Sequence, residues 1–129
     1  MSEAKPYSKE AQLGPSRSKR YRRKVATAKQ WAALLEAKCS DRCRTCGDSV
    51  ARSWGTLDPH HLVSRSDGGD DIADNIIGLC RDCHDKITRR DPVLCIALLS
   101  ALEDGEYAYM IGRGGEDYPE RAYGIRYGR

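Results

Sequence analysis

Three histidines are the residues of this chain best suited to acid–base and metal chemistry. They are its only histidines, and all of them, His60, His61 and His84, lie within one window of 25 residues. Histidine acts as a general base near neutral pH because its unperturbed pKa is about 6.5, and neutral imidazole also binds divalent metals. A lone histidine is most often an ordinary packed or exposed residue, but three in one window indicate a site. Asn75 lies between the pair and His84, which gives the pattern HHx13Nx8H.

Two pairs of cysteines bracket the histidines, each with the spacing Cys-x2-Cys. The four residues are Cys43, Cys46, Cys80 and Cys83. Zinc prefers tetrahedral coordination by soft thiolates, and each pair can supply two ligands from one tight turn. We therefore expect a structural zinc site that closes a long loop, with a redox-active pair or unpaired thiols as the alternatives. Cys39 could replace one ligand, whereas Cys95 is expected on the apolar face of a helix as a small core residue.

The histidines are expected to serve a metal other than this zinc. His84 adjoins Cys83, and neighbours on a helix point about 100° apart, so the two side chains more naturally bind different ions. His60 and His61 present a difficulty, because consecutive residues of a regular strand face opposite ways. Their use in one site predicts an irregular backbone, with which the preceding Pro59 is compatible.

The net charge of +3 conceals a basic N-terminus. Residues 1–30 contain nine Lys or Arg and two Asp or Glu, which is +7, so the rest of the chain carries −4 by difference. A basic arm on an acidic domain commonly binds phosphate backbones, and the alternative is a solvated tail that aids solubility. Because the basic arm occurs together with the histidine pattern, we expect the arm to contact nucleic acid. The residues concerned are Arg17, Lys19, Arg20, Arg22, Arg23 and Lys24.

Composition predicts a small domain in a reducing compartment. With 129 residues, no Phe and 32% charged residues, the apolar core is expected to be small. Such a core is expected to need a stabilising cross-link, such as a structural metal site. The N-terminus has no apolar signal-peptide segment, and no run approaches the ~18 apolar residues of a membrane span. We therefore expect a cytoplasmic protein without membrane contact, in which cysteine pairs bind zinc rather than form disulfides.

Local patterns predict an α+β arrangement of short elements. Thr27 and Gln30 form a capping box for a helix over 28–38. Two strands with a turn between them are expected next: strand 56–64, turn 66–70 and strand 75–79. Three elements are expected after the second strand: helix 81–89, helix 92–102 with Asp91 as N-cap and Gly105 near its end, and a short strand 107–111.

The segment from Cys43 to about Lys86 resembles the HNH endonuclease superfamily, and specifically its zinc-ribbon subgroup, which folds as a ββα-metal motif. Both Cys-x2-Cys pairs, the His-His pair, the Gly-Gly turn, Asp-Asn-Ile-Ile-x-Leu and Cys-x-x-Cys-His occur in order over about a third of the chain. The resemblance implies an α+β fold with a ββα-metal core and a zinc site, flanked by N- and C-terminal helices. It also implies metal-dependent hydrolysis of DNA phosphodiester bonds.

The resemblance assigns a role to each residue of the histidine pattern. His61 inherits the role of general base, and Asn75 holds the loop and helps to orient that base. His60 and His84 would bind a single catalytic divalent metal. Some members add a further metal-binding histidine four residues later, where this chain has Thr88. Water and phosphate oxygens must then complete the shell, which suits Mg²⁺ or Mn²⁺, although imidazole ligands also accept Ni²⁺ or Zn²⁺.

Three regions are expected: a basic, flexible arm over 1–24, the nuclease domain with its zinc site over 25–105, and a C-terminal extension over 106–129. The extension could dock on a partner or pack on the nuclease core, and both alternatives stay open. Arg65 and Arg81 lie near the histidine pattern but are expected to be ordinary surface arginines.

The biological setting follows from the resemblance. Small members of this kind look like bacteriophage proteins encoded beside DNA-packaging genes. We expect double-stranded DNA as substrate, the large terminase subunit or another targeting protein as partner, and the cytoplasm of a bacterial host as location. A zinc-ribbon module that binds nucleic acid without catalysis is the main alternative, with the histidines as packing residues. RNA binding or cleavage is a third reading, against which the few aromatic residues outside the tail argue.

Overall fold

A two-stranded antiparallel sheet with helices around it forms the part of the chain that the structure, a computed structural model, describes: residues 22–49 and 55–126. The predicted α+β class is confirmed. In chain order the elements are α1 (Ala28–Cys39), β1 (Asp58–His61), β2 (Ile76–Leu79), α2 (Arg81–Thr88), α3 (Pro92–Ser100), α4 (Asp104–Gly114) and α5 (Tyr118–Tyr123), with 3-10 turns at Arg65–Asp67 and Ala73–Asn75 between the strands. None of the helices in these two ranges is long and apolar enough to cross a membrane.

Helix α1 begins at the predicted capping box. The Thr27 hydroxyl accepts a hydrogen bond from the Gln30 N–H at 3.1 Å, and Gln30 Oε1 accepts one from the Thr27 N–H at 2.9 Å. The end of α1 packs closely against the sheet at Gly78. A Cβ added to Gly78 would lie 2.2 Å from the Lys38 carbonyl oxygen. Only glycine therefore fits at this point of β2, where the helix and the strand meet backbone to backbone.

The two strands pair along their whole length, with His61 opposite Ile76. β1 is shorter than the predicted strand and ends at His61. Beyond it, Leu62 still donates to the Asn75 carbonyl oxygen at 2.9 Å, but Val63 donates to the Asn75 side chain instead of to backbone. The ladder stops for this reason. All four residues of β2 are buried, as expected for the second strand.

Helix α3 begins at its predicted N-cap. The Asp91 carboxylate accepts a hydrogen bond from the Leu94 N–H at 3.0 Å, and Pro92 occupies the first turn, where a missing N–H costs nothing. Cys95 is fully buried, so its predicted place in the core is confirmed. In a chain without Phe, two tyrosines of α5, Tyr118 and Tyr123, are the aromatic residues of this core.

The strand predicted over 107–111 is wrong, because these residues form the middle of helix α4. A capping box starts this helix: Glu103 precedes it, and the Glu106 side chain accepts a hydrogen bond from the Glu103 N–H at 2.8 Å. Glu106 and Met110, four residues apart and therefore on one helix face, are both completely buried. Gly105 likewise does not end α3 but lies in the first turn of α4.

Glu106 forms a buried ion cluster that joins α4 to the first cysteine turn and to α1. Its carboxylate accepts hydrogen bonds from Arg44 at 2.6 and 3.0 Å and from Lys38 at 2.7 Å. Burial alone would raise the pKa of Glu106, but the hydrogen bonds from Arg44 and Lys38 outweigh it and lower that pKa below its usual 4.5. The carboxylate is therefore ionised and fully paired.

Replacing Glu106 with Gln is expected to lower the free energy of unfolding at pH 7 by about 3 kcal/mol, because two cations lose their buried partner. Urea denaturation followed by circular dichroism would measure the change. Glu120→Gln is the matched control, since Glu120 is exposed and its ion pair with the exposed Arg126, at 3.8 Å, should contribute little. A loss no larger than that of the control would contradict a stabilising cluster.

The difference between wild type and Glu106→Gln is expected to depend on pH. Because the folded pKa of Glu106 is lowered, its contribution is fully present above pH 4.5 and is lost as the pH falls through the folded pKa. The two stability curves should therefore converge in acid. Curves that stay parallel down to the folded pKa would show that the ionised carboxylate is not the stabilising species.

Candidate metal and catalytic site

The four cysteines of the two Cys-x2-Cys pairs converge on one point. Their Sγ atoms all lie within 4.8 Å of one another, and the Cys46 and Cys80 sulfurs are 3.8 Å apart. A tetrahedral zinc with Zn–S bonds of about 2.3 Å needs sulfurs separated by about 3.8 Å, so the donor set and the spacing fit this metal. Cys39 is not a member of the group.

Backbone N–H groups point at two sulfurs of this cluster. Cys83 N–H points at the Cys80 sulfur at 3.4 Å, and Asp48 N–H points at the Cys46 sulfur at 3.5 Å. Burial acts to raise the pKa of Cys43, but hydrogen bonds from backbone and from the Thr45 side chain lower it to about 6. Cys43 can therefore be a thiolate near neutral pH, whereas burial raises the pKa of Cys46 to about 11 and also raises that of Cys83. Binding of a metal would displace the protons of these two thiols.

The two histidines predicted to bind the catalytic metal lie together. His60 comes from β1 and His84 from the first turns of α2, and their ring centroids are 5.5 Å apart in an edge-to-face arrangement. His60 Nε2 is 2.8 Å from the Tyr123 hydroxyl, and His84 Nδ1 is 3.1 Å from the Asp58 carboxylate. Asp58 lies two residues before His60 and thus on the same face of the strand. Two imidazoles at this separation fit a shared divalent metal.

The His60 imidazole is held in its neutral form. Burial is the main cause, and the neighbouring His84 and His61 add to it, so the pKa of His60 is lowered to about 3. A metal can bind only an unprotonated ring nitrogen, and this environment removes proton competition at physiological pH.

His61 has different neighbours. Its ring stacks on Trp31, with centroids 5.9 Å apart and an interplanar angle of 12°, and its Nε2 is 2.9 Å from Asp71 Oδ1. The irregular backbone predicted for the pair is wrong, since β1 pairs in register through His61. The rings have different partners, yet both line one cleft.

The Asp71 carboxylate determines which nitrogen of His61 is free. Burial acts to raise the pKa of Asp71, but hydrogen bonds from His61 and the Ala26 N–H, together with Arg23 and Arg65, lower it. An ionised carboxylate only accepts hydrogen bonds, so His61 Nε2 carries the proton and Nδ1 keeps its lone pair. Burial lowers the pKa of His61, which the bond to Asp71 partly opposes, and this favours a neutral ring able to accept a proton.

Asn75 is completely buried and holds the loop between the strands. Its Oδ1 accepts a hydrogen bond from the Val63 N–H at 2.8 Å, and its Nδ2 donates to the carbonyl oxygens of Val63 at 3.0 Å and Asp70 at 2.9 Å. The loop closes so tightly that a Cβ on Gly69 would lie 1.7 Å from the Val63 carbonyl oxygen. Asn75 thus positions the segment that carries Asp71, and through it the His61 ring.

A cleft of about 960 Å³ opens where His60 and His61 lie. Among the described residues, its charged lining consists of three arginines and one carboxylate: Arg65, Arg90, Arg121 and Asp67. The Arg65 guanidinium lies 5.4 Å from the centroid of the Trp31 ring, and Arg90 donates to the Arg121 carbonyl oxygen at 2.7 Å. The cleft therefore combines two imidazoles with cationic side chains, which suits an anionic substrate.

The predicted basic arm is only partly described. Three of its members lie outside the described residues: Arg17, Lys19 and Arg20. Arg22 is exposed, whereas Arg23 donates two hydrogen bonds to Asp71 at 3.2 and 3.3 Å. The Lys24 N–H donates to Asp70 at 2.6 Å, and the Lys24 carbonyl accepts from the Asp71 N–H at 2.8 Å. The end of the arm is thus bound to the loop that holds His61.

Sequence reasoning missed three polar residues of the site. Asp58 could have been found, because the period of a strand places it beside His60. Asp71 and Tyr123 carry no local signal of their contacts with the histidines. Arg65 and Arg81, expected to be surface residues, are exposed, but Arg81 also donates to Asp58 at 2.9 Å and Arg65 approaches Asp71 at 3.6 Å.

Residues 43–90 match the family described as HNH endonuclease. This part of the chain is therefore an HNH endonuclease domain, and it contains the four clustered cysteines, the three histidines and Asn75. No match was found among curated proteins or among solved structures.

Proposed function

We propose that the protein is a metal-dependent endonuclease that hydrolyses phosphodiester bonds of DNA, with His61 as general base. The observation that carries the proposal is the position of His61: its Nε2 contacts the Asp71 carboxylate, and it lies in the same cleft as His60, which lies beside His84. A base in a cationic cleft, next to two imidazoles proposed to bind a metal, matches what hydrolysis of a phosphodiester requires.

In the proposed reaction, His61 Nδ1 removes a proton from water as the oxygen attacks phosphorus in line with the leaving 3′ oxygen. Asp71 accepts the Nε2–H throughout, and its negative charge stabilises the imidazolium that forms. The residues proposed to hold the divalent metal are His60 and His84; when bound, it supplies positive charge to the phosphate and the departing oxygen. By resemblance, the products carry 5′-phosphate and 3′-hydroxyl ends.

The proposed metals differ between the two sites. Four thiolates select zinc at the cysteine cluster. Two imidazoles leave room for water and phosphate oxygens at the catalytic site, because Thr88 supplies no further imidazole; Mg²⁺ or Mn²⁺ suits such a shell, and Ni²⁺ or Zn²⁺ is the alternative.

The proposed substrate is double-stranded DNA bound along the cationic cleft. The backbone phosphates would meet the arginines of the cleft, and the basic arm would add contacts that do not depend on base sequence. One HNH site cuts one strand, so nicking is the simplest product. A phage setting, with the large terminase subunit or another protein supplying the target, would fit a chain whose nuclease domain is this small.

Cleavage of supercoiled plasmid tests the proposal. Nicking with Mg²⁺, Mn²⁺ or Ni²⁺, and its loss with EDTA, is the expected result. A folded, zinc-loaded protein that binds DNA but cuts it with none of these metals would favour the alternative function, a non-catalytic zinc-ribbon module that binds nucleic acid.

Replacing Asp71 with Asn is expected to slow single-turnover nicking by about a hundredfold, because the His61 imidazolium loses its counter-charge and its tautomer is no longer fixed. Asp70→Asn is the matched control, because Asp70 is the neighbouring carboxylate of the same loop and accepts hydrogen bonds from the Lys24 N–H at 2.6 Å and the Tyr109 hydroxyl at 2.7 Å, whereas Asp71 is the carboxylate bonded to His61. Equal rates for the two variants would exclude a specific role for Asp71 in the reaction.

A further inference from the structure

The last helix, α5, contacts a histidine of the proposed metal site. Tyr123 lies outside the segment that matches the HNH family, and its side chain is almost completely buried. Its hydroxyl is 2.8 Å from His60 Nε2 and 2.7 Å from the Leu62 carbonyl oxygen, and its ring centroid lies 5.9 Å from that of His60.

The number of protons available gives these two hydrogen bonds a direction. A tyrosine hydroxyl has one proton, and because the ordinary pKa of tyrosine is about 10, the group keeps that proton at neutral pH. The Leu62 carbonyl can only accept, so the Tyr123 proton goes to that oxygen. The hydroxyl must then accept from His60, which places the His60 proton on Nε2 and leaves Nδ1 with a free lone pair.

His84 has the complementary arrangement. Its Nδ1 faces the Asp58 carboxylate, which accepts the Nδ1–H and leaves Nε2 as the nitrogen with a lone pair. Arg81 donates to the same carboxylate at 2.9 Å and holds it in place. Each of the two neighbouring imidazoles therefore has one nitrogen occupied by a protein partner and one free.

Contacts within the C-terminal region hold Tyr123 in this position. Its ring packs edge to face on Tyr118, with centroids 6.4 Å apart. The Arg121 guanidinium lies over the Tyr118 ring, 5.2 Å from its centroid. It also donates a hydrogen bond to the Gly114 carbonyl oxygen at 2.6 Å. α5 is therefore fixed to the end of α4, and the Tyr123 hydroxyl is directed at β1.

We propose that Tyr123 is a positioning residue for the catalytic metal: its hydroxyl fixes the tautomer of His60, so that Nδ1 of His60 and Nε2 of His84 are the two protein ligands. The proposal rests on the proposed function for its metal site. It assigns the C-terminal extension to the nuclease centre, because a ligand of the HNH domain takes its hydrogen-bond partner from α5. Partners of this kind commonly change metal affinity by about 10- to 100-fold when they are removed.

The tautomer is measured directly by long-range ¹H–¹⁵N correlation NMR of the histidine rings in the zinc-loaded protein without added Mn²⁺. The expected spectrum of wild type has His60 protonated on Nε2. Tyr123→Phe keeps the ring but removes the hydroxyl, so His60 should then show a mixture of tautomers. A wild-type His60 protonated on Nδ1 would overturn the proposal without the need for any variant.

Metal affinity supplies the second measurement. Mn²⁺ is the probe, because it is a hard ion that does not compete for thiolates, and free Mn²⁺ is quantified by electron paramagnetic resonance. Tyr123→Phe is expected to bind Mn²⁺ about tenfold more weakly than wild type. The control is Tyr118→Phe, whose lost hydroxyl bonds Ser64 and Asp67 but no histidine, and whose affinity should match wild type.

Equal Mn²⁺ affinity of Tyr123→Phe and wild type would overturn the proposal, as would a wild type that binds no Mn²⁺ or an equal loss in Tyr118→Phe. These readouts need no DNA cleavage. The expected tautomer and affinities in a protein that does not cut DNA would refute the proposed nuclease function and leave the role of Tyr123 intact.

Discussion

Replacing His61 with alanine is expected to slow metal-dependent nicking of supercoiled plasmid by about 10²- to 10⁴-fold, the range that a general base contributes. The nitrogen that would accept the proton from water is removed, whereas the proposed metal ligands and the zinc cluster are untouched. The rate is measured under single-turnover conditions with saturating Mn²⁺, so that weaker metal or DNA binding cannot account for the loss.

The role of base is separated from that of ligand by comparing His61→Ala with His84→Ala. His84→Ala should weaken Mn²⁺ binding, whereas His61→Ala should bind Mn²⁺ and DNA as wild type does. The zinc content of His61→Ala should also be unchanged. Its melting temperature should fall only by the small amount that the lost stacking on Trp31 contributes. Undiminished nicking by this variant would show that another group activates the water.

Elements with strong local signals were predictable from the sequence. Helix caps act within one turn. The reciprocal bonds of Thr27 and Gln30 and the bond from Leu94 N–H to the Asp91 carboxylate each join residues three apart, so the local sequence is enough to predict them. The spacing of the cysteines likewise predicted their convergence, because a Cys-x2-Cys turn has few ways to present two thiolates to a metal.

The error at residues 107–111 has a tertiary cause. Alternating Tyr, Ala, Met and Ile are compatible with a strand, and local pattern alone does not separate a short strand from a helix. The buried pair Glu106 and Met110 decides the matter, because Glu106 is satisfied only where Arg44 and Lys38 meet it. These partners lie 62 and 68 residues away along the chain.

The hydrogen bonds that tune the histidines were beyond sequence reasoning for the same reason. Asp71 is ten residues from His61, and Tyr123 is 63 residues from His60. Neither distance follows a helix or strand period. The histidine pattern therefore predicts which residues meet, whereas the free nitrogen of each ring depends on partners that only the fold brings close.

Loss of one cysteine of the cluster is the change with the largest expected effect on stability. Cys83→Ser is expected to unfold the domain at 25 °C, because zinc bound by four thiolates contributes about 10–16 kcal/mol in small zinc domains. That is as large as the total stability of about 5–15 kcal/mol of a typical domain. Circular dichroism and zinc analysis of the purified variant would measure the effect.

The control must separate loss of zinc from loss of a buried sulfur. Cys95 is buried in the core at least as completely as Cys83 but lies outside the cluster, so Cys95→Ala tests the packing contribution alone. It should retain zinc and lose about 1 kcal/mol or less of stability, the scale of a small core truncation. A Cys83→Ser protein that lacks zinc but has the wild-type melting temperature would mean that the apolar core keeps the domain folded without the metal. An unfolded Cys83→Ser variant beside a folded Cys95→Ala variant would instead establish that the domain depends on the metal that joins the first cysteine turn to the start of α2.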